Sequence, residues 1–199
     1  EIRDGGVSYL RVTDNGSGIA PEDCRVAFER HATSKIRSGD DLSHIDTLGF
    51  RGEALPSIAS VSKVELTTRT KDAVSGVKLT IEGGRVTDVR EAGCPQGTTF
   101  VVKDLFFNTP VRRKFLKRSA TEAGYVADVV TELALSRPDI AVRFVNNGKP
   151  VFQTVGNNDL RSVIFVLHGK EVSSGVLPFE SNLGAVRIRG FVGIGNLAR

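Results

Sequence analysis

Four β-rich runs in the middle of the chain constrain its fold more than any other feature. They read KVELTTRT from residue 63, GVKLTIEGG from 76, RVTDVREAG from 85 and GTTFVVKDLF from 97. Each run is rich in β-branched residues, and residues typical of turns separate one run from the next. The pattern indicates an antiparallel meander with short connections.

Helices and two further hairpins are expected around these runs. The pattern predicts hairpins over residues 1–14 and 140–155, and helices over 21–30, 53–60, 120–136 and from 159 to a cap at Gly169. Residues 31–49 are polar without a sustained period, so we interpret them as loop. Helices grouped beside a mainly antiparallel sheet make an α+β layered fold.

The composition restricts the class of protein. Of the 199 residues, 40% are apolar and 25% are charged, as in soluble globular proteins. No run approaches the length of a membrane span, and no signal-peptide pattern opens the chain. Cys24 and Cys94 form no CxxC pair and the three histidines are scattered, so we expect no zinc site and two thiols in a reducing cytosol. A net charge of +4 permits an anionic partner.

Both ends of the sequence look truncated, and a domain boundary is expected within the chain. The chain opens in mid-hairpin without an initiator Met and stops just after a strand-like run. The turn residues from Gly156 to Asp159 separate a first domain, residues 1–156, from the beginning of a second, residues 157–199.

The stretch VTDNGSGIAPED contains the first candidate site. A strand delivers Asp14 to its carboxyl end, and Asn15, Gly16, Ser17 and Gly18 follow. An ionised carboxylate only accepts hydrogen bonds, so a sheltered Asp14 suits an exocyclic amine such as that of adenine. The two glycines would let a flat ring approach the backbone. The alternative is a strand-ending Asx turn, which is common for Asp-Asn-Gly.

The stretch TLGFRGEALPSIASV contains the second. Gly49 and Gly52 allow N–H groups to converge on an anion, and the helix that starts near Glu53 adds its positive end. This arrangement is a phosphate cradle built from backbone. The alternative is a loop with ordinary helix punctuation, in which Glu53 serves the helix dipole.

Three weaker candidates complete the set. Thr33, Ser34 and Lys35 offer two hydroxyls and a cation in the loop, or are simply an exposed polar segment. Gly97 precedes two hydroxyls, which β propensity would also explain. A basic cluster could contact phosphates of a DNA backbone or be a solvated face, and on a helix its pairs 113/117 and 114/118 would share one side. Its members are Arg112, Arg113, Lys114, Lys117 and Arg118.

Taken together and in order, DNGSGI, HATSKI, GFRGEAL, GTTF and LFFNTPVRRKFL resemble the motifs of the MutL family of DNA mismatch-repair proteins. That family belongs to the GHKL ATPase superfamily, with gyrase B subunits, the large heat-shock chaperone and histidine kinases. The first motif is shared across the superfamily, whereas HATSKI, GFRGEAL and FNTPVRRKF are specific to MutL-type proteins. The resemblance runs over most of residues 1–156 and continues weakly to the end.

The resemblance implies a fold and a set of roles. The fold is a two-layer sandwich of a mainly antiparallel mixed sheet with helices on one face, of the Bergerat ATP-binding type, followed by the start of a second α/β domain of the ribosomal-protein-like transducer type. Asp14 would accept the adenine amine, beside Asn15, Gly16 and Gly18. The lid would begin at Thr33, Ser34 and Lys35. The phosphate-facing segment would comprise Gly49, Arg51, Gly52, Glu53, Ala54 and Leu55. Thr98, with Thr99 as a second candidate, would support adenine through water.

The same resemblance implies what these residues do not supply. In this family a helix before the first strand carries a Glu that activates water and an Asn that holds Mg²⁺, and a lysine from the second domain reaches the γ-phosphate. All three are expected outside residues 1–199. Glu53 is a poor substitute base, because its expected place is at a helix start over the phosphates.

As a whole protein, the resemblance implies a slow ATP-switched dimer. ATP binding would dimerise it and couple a MutS-type mismatch-recognition protein to other repair factors, with non-specific DNA binding, in the bacterial cytoplasm at the nucleoid and without a membrane. Two alternatives stay open. One is a type II topoisomerase ATPase subunit, and the other is a DNA-associated scaffold that senses ATP without hydrolysing it.

Overall fold

The computed structural model describes residues 1–32, 52–184 and 186–195. Contacts divide the chain into a first unit, Glu1–Glu122, and a second, Ala123–Arg199. The domain boundary predicted after residue 156 does not coincide with this division, and it stays a prediction. Thr33, Ser34, Lys35, Gly49 and Arg51 lie outside the described residues.

The first unit contains six strands of one sheet. In chain order its elements are β1 (Ile2–Arg3), a 3-10 turn (Asp4–Gly6), β2 (Tyr9–Asp14), α1 (Asp23–Val26), α2 (Ala54–Ser60), β3 (Lys63–Arg69), β4 (Gly76–Glu82), β5 (Arg85–Ala92), β6 (Gly97–Lys103) and α3 (Pro110–Lys114). The strands lie in the order β5-β4-β3-β6-β2-β1, and each of these pairings is antiparallel. The α+β fold with a mainly antiparallel sheet is thus confirmed.

The meander prediction holds only for β3, β4 and β5. β6 does not continue beyond β5 but returns to lie between β3 and β2. The burial of the strands explains this order. β5 is exposed along nearly its whole length, as an edge strand should be, whereas β6 carries the buried Val101 and Val102 and takes a central position.

The core lies on one face of this sheet, because alternate residues of a strand point to the same side. Cys24 of α1 and Ala59 of α2 pack there, so both helices cover this face. The buried cluster comprises Cys24, Ala59, Val64, Leu66, Leu79, Ile81 and Val102. On β2, the registers Leu10↔Val102 and Asp14↔Thr98 bring Asp14 to the helix-bearing face at the end of the strand.

The opposite face is charged. Glu65 of β3 accepts hydrogen bonds there from Lys103 and, at 2.9 Å, from Lys78. The helix predicted over 21–30 is shorter than expected. After Ala27, the N–H groups of Phe28 and Glu29 donate to carbonyls three residues back, so the segment continues as turns.

The second unit begins within α4 (Ser119–Ser136) and continues with β7 (Arg143–Asn146), β8 (Lys149–Gln153), α5 (Leu160–Ser174), β9 (Val176–Leu183) and β10 (Val186–Gly193). β7 and β8 form the predicted hairpin, with Asn147 and Gly148 both at positive φ in its turn. The prediction that Gly169 ends a helix is confirmed for the first helical segment of α5, but a second segment follows it. Gly169 is non-helical, with φ 84° and ψ 177°, but helical structure resumes until Gly175, whose N–H donates to Glu171 and Val172. β9 and β10 pair as an antiparallel ribbon.

Candidate nucleotide site

Asp14 ends β2 with one carboxylate oxygen engaged and the other free. Its Oδ1 accepts the N–H of Gly16 at 2.8 Å and the N–H of Thr98, on the neighbouring strand, at 3.2 Å. The first bond is the Asx turn expected from Asp-Asn-Gly, so the two interpretations of this stretch are compatible. Within the described residues Oδ2 has no hydrogen-bond partner and Asp14 is exposed. The carboxylate is therefore oriented by backbone and can still accept a donor from a ligand.

Two glycines make this turn possible. A Cβ on Gly18, at φ +75°, would lie 2.1 Å from the carbonyl oxygen of Arg69, and a Cβ on Gly97, at φ +113°, would lie 2.2 Å from that of Asp14. Neither backbone position can accommodate a side chain. The segment after β2, the end of β3 and the start of β6 are thereby held in close contact.

Thr68 is a site residue that the sequence interpretation missed. Its side chain is 1% exposed, and its Oγ1 accepts the N–H of Ile19 at 2.9 Å. The same hydroxyl donates to the carbonyl of Gly97 and lies 3.0 Å from Oγ1 of Thr98. The alternation in KVELTTRT, which places Thr68 on the face of Val64 and Leu66, could have indicated it.

The two adjacent threonines of β6 serve different faces. Thr98 lies opposite Asp14 and Thr68, on the helix-bearing side. The hydroxyl of Thr99 instead lies 3.1 Å from that of Thr13, in a position that pairs with Thr67 on the other face. The structure therefore brings Thr98, and not Thr99, next to Asp14. Asn15 is exposed. The carbonyl oxygen of Gly16 accepts a hydrogen bond from Nε2 of Gln96 at 3.1 Å.

The start of α2 contains the described part of the expected phosphate cradle. Gly52 has a φ of +64° and lies against the backbone of Ala32. Glu53 occupies the N-cap position, and its side chain makes no capping hydrogen bond. The carboxylate of Glu53 lies 3.2 Å from Nδ1 of His31, and both side chains are more than half exposed. Ala54 and Leu55 form the first turn of α2. In the sequence interpretation, Glu53 serves the helix dipole. The structure shows that it also has a direct partner, His31.

The far end of α2 is held by the turn that precedes the basic cluster. Asn108 Nδ2 donates to the carbonyl oxygen of Ser60 at 2.9 Å, and the N–H of Phe106 donates to that of Val61 at 2.7 Å. The FNTP segment thus has a structural role at the carboxyl end of the helix.

The basic cluster is not a single helical face. α3 ends at Lys114 with Phe115 as its C-cap, and Lys117 and Arg118 lie in the connection to α4. The prediction that the pairs 113/117 and 114/118 share one side of a helix is therefore wrong. The chain turns after α3, and the carbonyl oxygen of Arg118 accepts hydrogen bonds from N–H groups in the first turn of α4. Arg113 and Lys117 nevertheless line the same cleft of about 350 Å³, at the end of the sheet away from Asp14.

That cleft contains charges of both signs, but the cations are the available ones. Asp104 pairs with Lys63 at 3.1 Å and Asp4 accepts the hydroxyl of Ser8 at 2.6 Å. Among the described residues, the side chains of Arg113 and Lys117 have no ion-pair or hydrogen-bond partner. The cleft is lined by Asp4, Val7, Ser8, Asp104, Leu105, Arg113, Leu116, Lys117 and Ser119.

Neither a metal centre nor a membrane span is found in residues 1–32, 52–184 and 186–195. No group of three or more His, Cys, Asp or Glu side chains there could hold a metal ion. No helix in this part of the chain is long and apolar enough to cross a bilayer. Cys24 and Cys94 are free thiols, and burial, with the nearby Asp23 and Glu22, raises the pKa of Cys24.

Comparison with known proteins gives a consistent assignment. No family model matches the chain. The DNA mismatch repair protein MutL of Agathobacter rectalis is 48% identical over 193 residues, which cover 97% of this chain and 30% of that protein. MutL of Symbiobacterium thermophilum is 49% identical over 199 residues, 100% of this chain and 31% of its own length. The chain therefore spans about 30% of the length of these relatives.

Solved structures agree with the sequence relatives. The ATPase domain of Aquifex aeolicus MutL, complexed with ADP, matches with a TM-score of 0.71 and 30% identity, over 94% of this chain and 65% of that one. The N-terminal domain of a DNA repair protein matches with a TM-score of 0.75 and 25% identity, over 96% of this chain and 60% of that one. Since the strand order, the motifs and these relatives all agree, the chain belongs to the MutL family of DNA mismatch-repair proteins.

Proposed function

We propose that this chain binds ATP through Asp14 and is part of the ATPase of a DNA mismatch-repair protein. The observation that carries the proposal is the state of the Asp14 carboxylate, whose Oδ1 is held by two backbone N–H groups while Oδ2 has no hydrogen-bond partner within residues 1–32, 52–184 and 186–195. A fixed acceptor suits the amino group of adenine. The ADP bound to the related Aquifex aeolicus domain supports the same assignment.

The residues around Asp14 fit a nucleotide. Gly18 and Gly97 let the backbone segments around Asp14 approach each other closely, and Thr98 offers a hydroxyl beside the carboxylate. The triphosphate would then lie toward the start of α2, at Gly52, Glu53, Ala54 and Leu55, where first-turn N–H groups have no helical partner. Asn15 and Gly16 would border the base, Gly49 and Arg51 the phosphates, and Thr33, Ser34 and Lys35 would begin the lid.

We propose ATP hydrolysis only for the longer protein, and not for residues 1–199 alone. A bound Mg²⁺ would neutralise charge that develops on the phosphates. The metal ligand, the water-activating Glu and the γ-phosphate lysine are proposed to lie outside residues 1–199. The described residues supply binding and orientation of the nucleotide.

The switch function follows from the family. We propose that ATP binding dimerises the protein and changes its contacts with a MutS-type recognition protein and other repair factors, in the cytoplasm near the nucleoid. We also propose that Arg113 and Lys117, with Arg112, Lys114 and Arg118, contact the DNA backbone without reading bases. Residues 1–156 would form the ATP-binding domain and residues 157–199 the start of the transducer domain.

One alternative keeps a specific observation in its favour. The only carboxylate at the described start of α2, that of Glu53, is paired with His31, which suits an ATP-sensing scaffold that does not hydrolyse. The topoisomerase alternative gains no support from relatives that are named MutL.

The decisive experiment separates binding from turnover. Calorimetric titration with ATP, and phosphate release at saturating ATP and Mg²⁺, would be measured on the full-length protein. Binding with slow turnover is expected. Binding without any turnover would favour the scaffold, and absence of binding would contradict the proposal.

A further inference from the structure

Beneath the candidate base site lies a buried hydroxyl with three neighbours at hydrogen-bond distance. Oγ1 of Thr68 lies 2.9 Å from the N of Ile19, 3.0 Å from the O of Gly97 and 3.0 Å from Oγ1 of Thr98. The side chain is 1% exposed, so solvent does not compete for these bonds. Thr98 in turn donates its N–H to the Asp14 carboxylate.

Only one arrangement of the hydroxyl protons places a proton in each of these three contacts. A threonine hydroxyl has one proton and two acceptor lone pairs. The N–H of Ile19 can only donate, so it takes one lone pair of Thr68. The carbonyl of Gly97 can only accept, so it takes the proton of Thr68. The remaining lone pair of Thr68 then accepts the proton of Thr98, and the hydroxyl of Thr98 faces the site with lone pairs alone.

The result is a base-binding edge made only of acceptors. The free Oδ2 of Asp14 cannot donate, and Thr98 cannot donate because its proton points inward to Thr68. An acceptor-only edge favours a ligand group, or a bridging water, that presents N–H or O–H donors. It disfavours a carbonyl, whose lone pairs would face these acceptors with no proton between them.

We propose that Thr68 is a positioning residue that sets this polarity and so selects a 6-amino purine over a 6-oxo purine. The inference rests on nucleotide binding at Asp14, as proposed above. Without the Thr68 hydroxyl, the Thr98 hydroxyl can rotate and donate toward the site. The edge then contains a donor that a 6-oxo group can use.

The test compares ATP with inosine triphosphate, which has the same ribose and phosphates. Its base carries a carbonyl at C6 in place of the amino group and an N–H at N1 in place of an acceptor nitrogen. Both affinities would be measured by calorimetry on the full-length protein. The unchanged protein is expected to prefer ATP by more than about tenfold. Thr68→Val should reduce that ratio about threefold to tenfold, which corresponds to one hydrogen bond. A purely structural role would weaken both nucleotides equally and leave the ratio unchanged, and that result would overturn the inference.

Three further variants control for shape, position and folding. Thr68→Ser retains the hydroxyl and should restore the ratio, whereas Thr67→Val removes a hydroxyl from the adjacent residue on the other face of β3 and should leave it unchanged. If Thr68→Val does not fold, Thr68→Cys, whose thiol accepts weakly, should still narrow the ratio, and an unchanged ratio there would overturn the inference. If Thr68→Val binds ATP with the same preference over inosine triphosphate as the unchanged protein, only the role of Thr68 is refuted. If the unchanged protein does not bind ATP, the proposed function is refuted as well.

Discussion

The backbone N–H of Thr98 donates to the side chain of Asp14 across two paired strands, at 3.2 Å. These residues are 84 positions apart in the chain, and the register Asp14↔Thr98 brings them together at one end of β2 and β6. Because Gly16 donates to the same oxygen, the carboxylate is oriented before any ligand arrives. The other oxygen of this carboxylate has no hydrogen-bond partner in the part of the chain that the structure describes, so it can accept a donor from a ligand.

Replacing Asp14 by Asn tests that acceptor. The amide can present a donor where the carboxylate only accepts, and a hydrogen bond to a charged group contributes roughly 1.5–3 kcal/mol. ATP affinity of the full-length protein should therefore fall about tenfold to a hundredfold in calorimetry. Asp128→Asn, an exposed change on α4, is the matched control. Equal affinity of Asp14→Asn and the unchanged protein would remove Asp14 from the site.

Gly97→Ala tests the close approach between β6 and the end of β2. The new Cβ would lie 2.2 Å from the carbonyl oxygen of Asp14, at a φ of +113° that other residues rarely adopt. Strain and overpacking together should lower the free energy of unfolding by about 2–5 kcal/mol. Urea denaturation would measure the loss.

Gly93→Ala is the control for that change, because a Cβ there meets nothing within 4 Å. It should alter stability by no more than about 0.5 kcal/mol. If both substitutions prove equally harmless, the turn is looser than the structure shows.

Local patterns in the sequence predicted the parts of the fold that depend on neighbouring residues. The Asn147-Gly148 turn, the hairpin of β1 and β2 and the Asx turn at Asp14 are all present, because each is determined by a few adjacent residues. The motifs DNGSGI and GTTF contain Asp14 and Thr98, which the structure pairs across β2 and β6, and their role in nucleotide binding stays a prediction.

Non-local relationships were not predictable in this way. Turn residues between β5 and β6 do not reveal that β6 pairs with β3 and β2, since strand order depends on which strands bury the most apolar surface. The role of Thr68 was missed for a related reason. A threonine in a strand is ordinarily explained by β propensity, and only the tertiary positions of Ile19, Gly97 and Thr98 give its hydroxyl three neighbours.

Glu65 should make stability depend on pH. Hydrogen bonds from Lys103 and Lys78 hold the pKa of the Glu65 carboxyl below its usual value. A lowered folded-state pKa contributes stability above the unfolded value, about 4.3, and this contribution is lost as pH falls through the folded value. Because the side chain is 27% exposed, Glu65→Gln should cost no more than about 1 kcal/mol at pH 7, and the cost should be smaller at pH 3.

Urea unfolding at both pH values would measure this difference. Glu91→Gln changes an exposed carboxylate of β5 without an ion pair among the described residues, and should have no effect at either pH. A cost for Glu65→Gln that is as large at pH 3 as at pH 7 would mean that packing, rather than charge, explains the loss.

Arg113→Ala with Lys117→Ala tests the DNA proposal. Both cations line one cleft and have no partner among the described residues, so both are available to phosphates. Their removal should weaken binding to any duplex equally and reduce the slope of log K against log salt by up to ~2, about one per lost contact. Filter binding or fluorescence anisotropy at several salt concentrations would measure the slope. The same change at Lys71 and Arg85, which are exposed elsewhere in the first unit, should leave it unaltered. An unchanged slope in the Arg113 and Lys117 variant would mean that the basic cluster is an ordinary solvated surface and does not contact DNA.

Residues 1–199 alone are expected to hydrolyse ATP far more slowly than the full-length protein. Glu53, the carboxylate at the described start of α2, lies 3.2 Å from His31 and occupies a helix N-cap rather than a position fixed for proton abstraction. Positioned base catalysis contributes about 10²–10⁴-fold, and metal stabilisation of the phosphates would be missing as well. Phosphate release from the purified 199-residue chain and from the full-length protein, at equal concentrations, would give the comparison. Glu53→Gln in the full-length protein should change the turnover number by less than about threefold, because loss of a true base would cost at least about a hundredfold. Equal turnover of the two forms, abolished by Glu53→Gln, would show instead that Glu53 is the base and that the catalytic groups lie within these residues.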